Sequence, residues 1–407
     1  MMRGRSVMAL AAVVVIALLA VAALRDLARL GPGAPWRQLY DFADFYCAGE
    51  ALDRHFDPYR YEPLHRCEHT VNQSEAYRSD PARAVPAPLP PYDFPPLMVL
   101  ARLSYANART LDALAIVAAT VLCIALLATL DIPLELAAAA LIFPAGYVLL
   151  AAGQVVPFAF AALVGCGVAL RRRHDMLAGA LAALTLVEPH LGLPVWLATL
   201  VWLPRCRLAA ATTAAALGCI GVAVVGAAAS VEYVTRVLPA QAAAEHAYAY
   251  QYSFTYLLAT LGMPPTWALL LGDASYAVML AVAVWASGRV AAKLRRPEMF
   301  AFVPAACSVI GGPYVHMVDL TLAIPAALVL ATALSGRAKA TATVALALLT
   351  IPWIPVWITK KLFLATLFVA TVLLWRVQVA RAAFIASVAT IALALYLIEL
   401  FPPAPLA

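Results

Sequence analysis

The residues able to do acid–base chemistry fall in a few short stretches of an otherwise apolar chain. The densest is 41–63, DFADFYCAGEALDRHFDPYRYEP, where Asp41, Asp44 and Glu50 interleave with Phe42, Phe45 and Tyr46, and Asp53 and Asp57 follow. If 41–52 is helical, Asp41, Asp44 and Phe45 share one face, because residues three and four apart are neighbours. Carboxylates beside aromatic rings suit a polar, sugar-like ligand. A solvated amphipathic helix fits the same spacing, and both readings stay open. Three further polar points stand out: Gly153-Gln154, Glu188-Pro189-His190, and 314–319, YVHMVD. His316 and Asp319 would share a face at a helix start, where a carboxylate can orient an imidazole and raise its basicity. A histidine there can equally satisfy backbone carbonyls. Gln154 could bridge helices through its amide. Pro189 breaks a helix between Glu188 and His190, which could line a cavity or pair with each other.

The elements that must position these groups are membrane helices. Of 407 residues, 64% are hydrophobic and 12% charged, and the mean hydropathy is +0.87. Soluble domains carry roughly 25% charged residues, so the expected fold class is an all-α polytopic membrane protein. One transmembrane unit, 1–407, is the expected domain. The net charge of +6 carries less information than the placement of Lys and Arg. No basic stripe or groove-reading motif points to nucleic acid.

Hydropathy predicts about thirteen spans, near 7–24, 109–130, 134–151, 156–170, 176–187, 191–204, 208–230, 265–287, 299–312, 320–334, 341–358, 362–375 and 382–400. The first apolar run is longer than the roughly 7–15 residues of a signal-peptide core, and we read it as a span. With Arg3 and Arg5 inside, alternation puts the basic clusters at 171–175, 205–207, 288–298, 336–339 and 376–381 on the cytoplasmic side. Lys360-Lys361 breaks the pattern by falling outside, where lipid head-group anchoring or a phosphate partner would explain it. The same alternation places Asp41/Asp44, Gln154, Glu188/His190 and 314–319 on the outer face. Ionisable groups at membrane depth face cavities or partners, so their convergence predicts an outward-facing polar chamber.

Two outer segments complete this layout. The first, 25–94, ends in the proline-rich APLPPYDFPP, expected to be extended and stiff. A short interfacial helix over 95–104 should follow it. The second, 231–252, carries Glu232, Arg236, Glu245, His246 and four tyrosines, read as an interfacial belt or as a ligand surface. Cys47 and Cys67 both lie in the first segment, where an oxidising compartment permits a disulfide or leaves two thiols. No cysteine spacing suggests a metal site.

Walker, GxGxxG, HExxH and GxSxG motifs are all missing from the sequence, which removes nucleotide cofactors, zinc proteases and serine hydrolases. General-base catalysis and binding of sugars or cations are the roles left for outward carboxylates and histidines. Several stretches, in order, resemble the membrane-embedded glycosyltransferases of the C-type fold that use polyprenyl-phosphate sugars. The resemblance is greatest to glycosyltransferase family 87, with its mannosyltransferases. They are DFADFYCAGEAL with DPY (41–59), YDFPPLMVLARL (92–103), GQVVPFAFAALVGCGVALRRR (153–173), LAGALAALTLVEPHLGLPV (177–195), SFTYLLATLG (253–262) and GPYVHMVDL (312–320).

The resemblance implies a bacterial enzyme of the cell envelope, in the cytoplasmic membrane with its site facing the periplasm. It would transfer a hexose, mannose first, from a polyprenyl-phosphate donor to a lipid or glycan acceptor. It implies an acid of the first outer loop in the site, Asp41 with Asp44 as second choice, and a polar position at His316. Relatives commonly carry Lys-Pro where this chain has Glu188-Pro189, so the phosphate needs another cation: Lys360, Lys361 or an outer-loop arginine. His316 is then the first candidate for base and Asp41 the acceptor-orienting acid, with the roles exchangeable. Tyr46, Tyr92, Gln154, Glu188, His190 and Asp319 would line the site. No cofactor is expected, and a divalent metal between the outer carboxylates is not required. The alternative is a transporter or flippase of lipid-linked sugars. It predicts polar groups at mid-membrane and shows no inverted repeat here. A structural membrane subunit, in which the clustered acids are incidental, is the third reading.

Overall fold

The structure is a computed structural model that describes residues 39, 41–71, 87–141, 153–246, 251–309, 311–316 and 318–350. Those residues are helical apart from turns and one isolated antiparallel bridge between Gln251 and His316. The helices are α1 (Phe42–Asp53), α2 (Tyr61–Val71), α3 (Phe94–Ala101), α4 (Tyr105–Ala128), α5 (Leu134–Ala140) and α6 (Val156–Arg171). They continue as α7 (Asp175–Leu184), α8 (Pro189–Trp202), α9 (Arg207–Glu232), α10 (Leu238–Glu245) and α11 (Phe254–Thr260). The last four are α12 (Pro265–Leu294), α13 (Met299–Ser308), α14 (Ile324–Ala333) and α15 (Gly336–Thr350).

Among the described residues, three helices are long and apolar enough to cross a membrane: Tyr105–Ala128, Pro265–Leu294, and Arg207–Glu245, which joins α9 to α10 through a π turn. The apolar runs Val156–Arg171, Asp175–Val187, Met299–Ser308 and Val318–Ala333 are shorter than the roughly 20 residues a straight span needs. Asp175–Val187 stops at the turn around 185–190, and the turn at 311–316 lies between Met299–Ser308 and Val318–Ala333. The expected spans at 7–24, 362–375 and 382–400, and most of 134–151, lie outside the described residues, as do Lys360 and Lys361.

The bundle has two chemically distinct ends. At one, Arg171 and Arg296 both pair with Asp131, at 3.0 and 3.2 Å, and Arg205 faces Asp175 at 4.0 Å. These are the basic clusters of 171–175, 205–207 and 288–298, gathered on the turns after α4, α6, α8 and α12. At the other end lie the turns after α7 and α13 and the starts of α6 and α8. Alternation of antiparallel helices thus sets the cluster of Arg171, Arg205 and Arg296 apart from Glu188, His190 and His316.

Of the two readings left open for 41–52, helix α1 rules out the solvated helix. Ten of its 12 residues are buried, Asp44 and Phe45 among them, and Asp41 stands just before its start. Its neighbour α2 is joined to it by a Cys47–Cys67 disulfide, so the two outer cysteines are paired. The proline-rich approach is extended only through Pro90, then tightens into a 3-10 turn, Pro91–Asp93. Pro95 and Pro96 sit in the first turn of α3, where a missing N–H is not needed. The described part of 231–252 is largely helix, and its described tyrosines do not form a belt. Tyr233 and Tyr252 are buried in protein, while Tyr248 and Tyr250 lie outside the described residues.

Candidate functional site

The turn between α7 and α8 places the first two groups. Helix α7 closes in a 3-10 turn, Thr185–Val187, and α8 starts at Pro189. The reversal is so tight that a Cβ on Gly192 would lie 2.2 Å from the Thr185 carbonyl oxygen. Glu188 and His190 therefore emerge side by side at the helix start. His190 Nδ1 lies 3.0 Å from Glu188 Oε1, a close charge pair without hydrogen-bond alignment. On its other edge, Nε2 faces Asp319 Oδ2 at 3.4 Å. Burial alone would lower the basicity of this imidazole, but the Asp319 and Glu188 carboxylates outweigh it and hold the pKa up at about 10. His190 is thus a cation clamped between two acids. Its backbone carbonyl accepts from Tyr276 Oη at 2.7 Å, so α12 also fixes the turn.

The second wall is the segment after α13. Here the expected pairing of the His316 ring with Asp319 is not what forms. Asp319 Oδ2 accepts from the backbone N–H of His316 at 2.7 Å and turns its charge toward His190. The physical reason is that 311–316 is not yet helical and helix begins only at Val318, so the three-residue spacing closes a turn instead of aligning two side chains. Tyr314 stands between the two histidines, its ring 4.8 Å from His190 and 5.9 Å from His316. Burial, then Glu188 and Asp319, keep its phenol protonated.

His316 instead meets Gln251. The Gln251 amide nitrogen is 3.4 Å from Nδ1 and 3.3 Å from Nε2. A donor nearly equidistant from both ring nitrogens lies over the ring rather than along either lone pair. The same glutamine accepts from the Val315 N–H at 2.8 Å and donates to Glu245 at 2.9 Å, so α10 and the 311–316 segment are locked together. No carboxylate contacts the His316 ring among the described residues.

Two more of the expected residues form a separate pair. Gln154 donates from Nε2 to Asp41 Oδ2, tying the start of α6 to the start of α1. Gly153 makes this approach possible. Its φ is +65°, and an added Cβ would sit 2.9 Å from Leu39. Tyr92 donates to the Leu186 carbonyl at 2.6 Å and so lies against the Glu188 turn. Tyr46 is a strut, its hydroxyl on the Leu103 carbonyl at 2.8 Å and its ring edge-on to Tyr105.

Sequence reasoning passed over Gln251, Tyr276 and Tyr314 as site members. Gln251 sits among tyrosines with the signature of a membrane belt, and Tyr276 lies inside an apolar span. At the rim, Arg60 and Arg236 both reach the Glu232 carboxylate at 3.1 Å, and Arg60 also pairs with Asp57 at 2.9 Å. No group able to hold a metal occurs among the described residues. Comparison of the chain with protein-family models, curated sequences and solved structures finds no match.

Proposed function

We propose that the protein is an integral-membrane glycosyltransferase. It would move a hexose, mannose first, from a polyprenyl-phosphate donor to a hydroxyl of a lipid or glycan acceptor. The observation that carries this reading is the unlike pair of histidines on either side of Tyr314. One is held cationic between Glu188 and Asp319, and among the described residues the other has no carboxylate on its ring. An imidazole held between two acids and a second beside Gln251 can divide the roles of leaving-group cation and base.

In this mechanism a ring nitrogen of His316 takes the proton of the acceptor hydroxyl as its oxygen attacks the anomeric carbon. The new C–O bond forms as the bond from that carbon to the phosphate oxygen breaks. The electron pair leaves on the polyprenyl phosphate, and the anomeric centre inverts. The leaving group is already a stabilised anion, so cations and hydrogen-bond donors matter more than a general acid. His190 supplies positive charge near it. The resembling chains' Lys-Pro cation is Glu188 here, and Arg60 and Arg236 are the outer-segment cations that take its place on the phosphate. Asp41, held by Gln154, orients the acceptor.

The Cys47–Cys67 disulfide supports a site facing an oxidising compartment, because such bonds persist outside the reducing cytosol. The separation of the arginine-rich end from the site end agrees with that orientation. The test is a transfer assay on protein in nanodiscs, with labelled polyprenyl-phosphate mannose and a lipid extract. Label should enter a new product with wild type and not with His316→Ala or Asp41→Asn.

A further inference from the structure

Asp93 has no part in the chemistry described so far. It occupies the N-cap position of α3, where an aspartate normally accepts from a backbone N–H of the first turn. Here no side-chain cap bond is made. The residue is only 7% exposed, and Oδ2 is buried without a hydrogen-bond partner. An orphaned carboxyl oxygen of this kind costs on the order of 1–3 kcal/mol. The usual cap cannot relieve it, because the second and third helical positions are Pro95 and Pro96, which carry no N–H.

The surroundings of Asp93 belong to the site. Tyr92, its neighbour in sequence, is fastened to the Leu186 carbonyl two residues before Glu188. The charge of Asp93 acts on the phenols of both Tyr59 and Tyr92, and Glu188 acts back on Asp93. Burial, then Glu188, hold the Asp93 pKa well above the usual carboxylate range, so the group can donate as well as accept. Tyr59 forms an aromatic wall with Tyr233, ring centroids 6.0 Å apart, and with Phe94 at 5.8 Å. Flat rings beside a carboxyl that can both donate and accept are the ordinary recognition elements for a polyhydroxylated ring. The Tyr59 side of this wall rides on the turn 57–60. Its Arg60 ion pairs to Asp57 and Glu232 are half exposed, and the Tyr59 hydroxyl donates to the Leu89 carbonyl at 3.1 Å.

We propose that Asp93 is a further substrate-contacting residue, whose carboxyl hydrogen-bonds a hydroxyl of the hexose against the wall formed by Tyr59 and Tyr233. This rests on the glycosyltransferase reading and adds to it the part of the site that recognises the sugar. It also accounts for a buried orphan in an otherwise satisfied turn, since ligand recognition is a common reason to keep a group that destabilises the free protein.

The experiment measures thermal stability and transfer kinetics of Asp93→Asn and Asp93→Leu in nanodiscs, with octyl mannoside as a hexose probe. Both variants should melt at or above the wild-type temperature. Both should lose the stabilisation that octyl mannoside gives wild type, and the KM for donor or acceptor should rise about tenfold, the scale of one lost ligand hydrogen bond. Which KM moves tells whether the hydroxyl is on the donor or the acceptor sugar. Wild-type KM and probe response in Asp93→Asn would overturn the proposal. So would lower melting temperatures in both variants with activity falling only as folded protein is lost, because that marks a structural residue. If wild type itself neither transfers hexose nor responds to the probe, the glycosyltransferase reading fails, and the assignment of Asp93 falls with it.

Discussion

Asp319 joins two histidines with a single carboxylate oxygen: Oδ2 accepts from the backbone N–H of His316 at 2.7 Å and faces the His190 imidazole at 3.4 Å. The segment after α13 is thereby registered against the start of α8. Removing this group leaves a buried cation with one partner fewer, a change that costs roughly 3–5 kcal/mol when a buried pair is broken. Asp319→Ala is therefore expected to fold poorly. Asp319→Asn keeps the bond to the His316 N–H but loses the charge. It should stay folded, with kcat down about a hundredfold and fluorescence-detected chromatography unchanged.

The charge of His190 sets a pH dependence whose sign can be worked out. Its folded pKa, about 10, is above the unfolded value of roughly 6.5. A raised pKa contributes stability that is complete below the unfolded value and is lost as pH rises through the folded one. Wild type should thus lose melting temperature between about pH 7 and 10 more steeply than His190→Gln. Melting curves at half-unit steps would check this, and equal slopes would remove the cation from the account.

Arg60 and Arg236 are separated by their shared partner in a way that mutation can exploit. If they hold the donor phosphate, Arg60→Gln or Arg236→Gln should raise the donor KM about tenfold each with little change in kcat. Glu232→Gln breaks the same ion pairs but leaves both guanidiniums in place, and should leave that KM within about twofold. Exposed ion pairs contribute roughly 0–1 kcal/mol, so none of the three should change the melting temperature much. A donor titration on the four proteins decides it.

The Cys47–Cys67 bond closes a loop across a sequence separation of 20. Loop-closure entropy gives such a link about 3 kcal/mol. Dithiothreitol should lower the melting temperature of wild type and leave Cys47→Ser, already lowered, unaffected. Identical responses would mean that the bond contributes nothing to stability.

How much of this was legible in the sequence depends on the range of the interaction concerned. The helical character, the distance of the Arg171, Arg205 and Arg296 cluster from the site, and the Glu188–His190 pair follow from composition, alternation and a proline between neighbours. The partnership of His190 with Asp319 spans 129 residues and has no local signature. His316 and Asp319 did have a local signature, a three-residue spacing, and it misled because helix starts only at Val318. The tyrosines of 231–252 carry the same composition whether they face lipid or protein, so only packing could show Tyr233 and Tyr252 buried. Asp93 was read as part of a stiff, extended proline-rich approach. Its missing cap follows from Pro95 and Pro96, which lack the N–H groups a cap would use, whereas its orphaned oxygen depends on side-chain direction, which spacing does not encode.

The measurement that bears most directly on the central claim follows label from polyprenyl-phosphate mannose into acceptor lipid, comparing wild type, His316→Ala and His190→Gln in nanodiscs. The account predicts transfer with inversion by wild type. It predicts loss of at least about a hundredfold in kcat for His316→Ala, in line with removal of a general base. His190→Gln should act chiefly on the leaving-group side, with a loss that shrinks for donors carrying a better leaving phosphate. Undiminished transfer by His316→Ala, or none by wild type with mannose, glucose or arabinose donors, would contradict it.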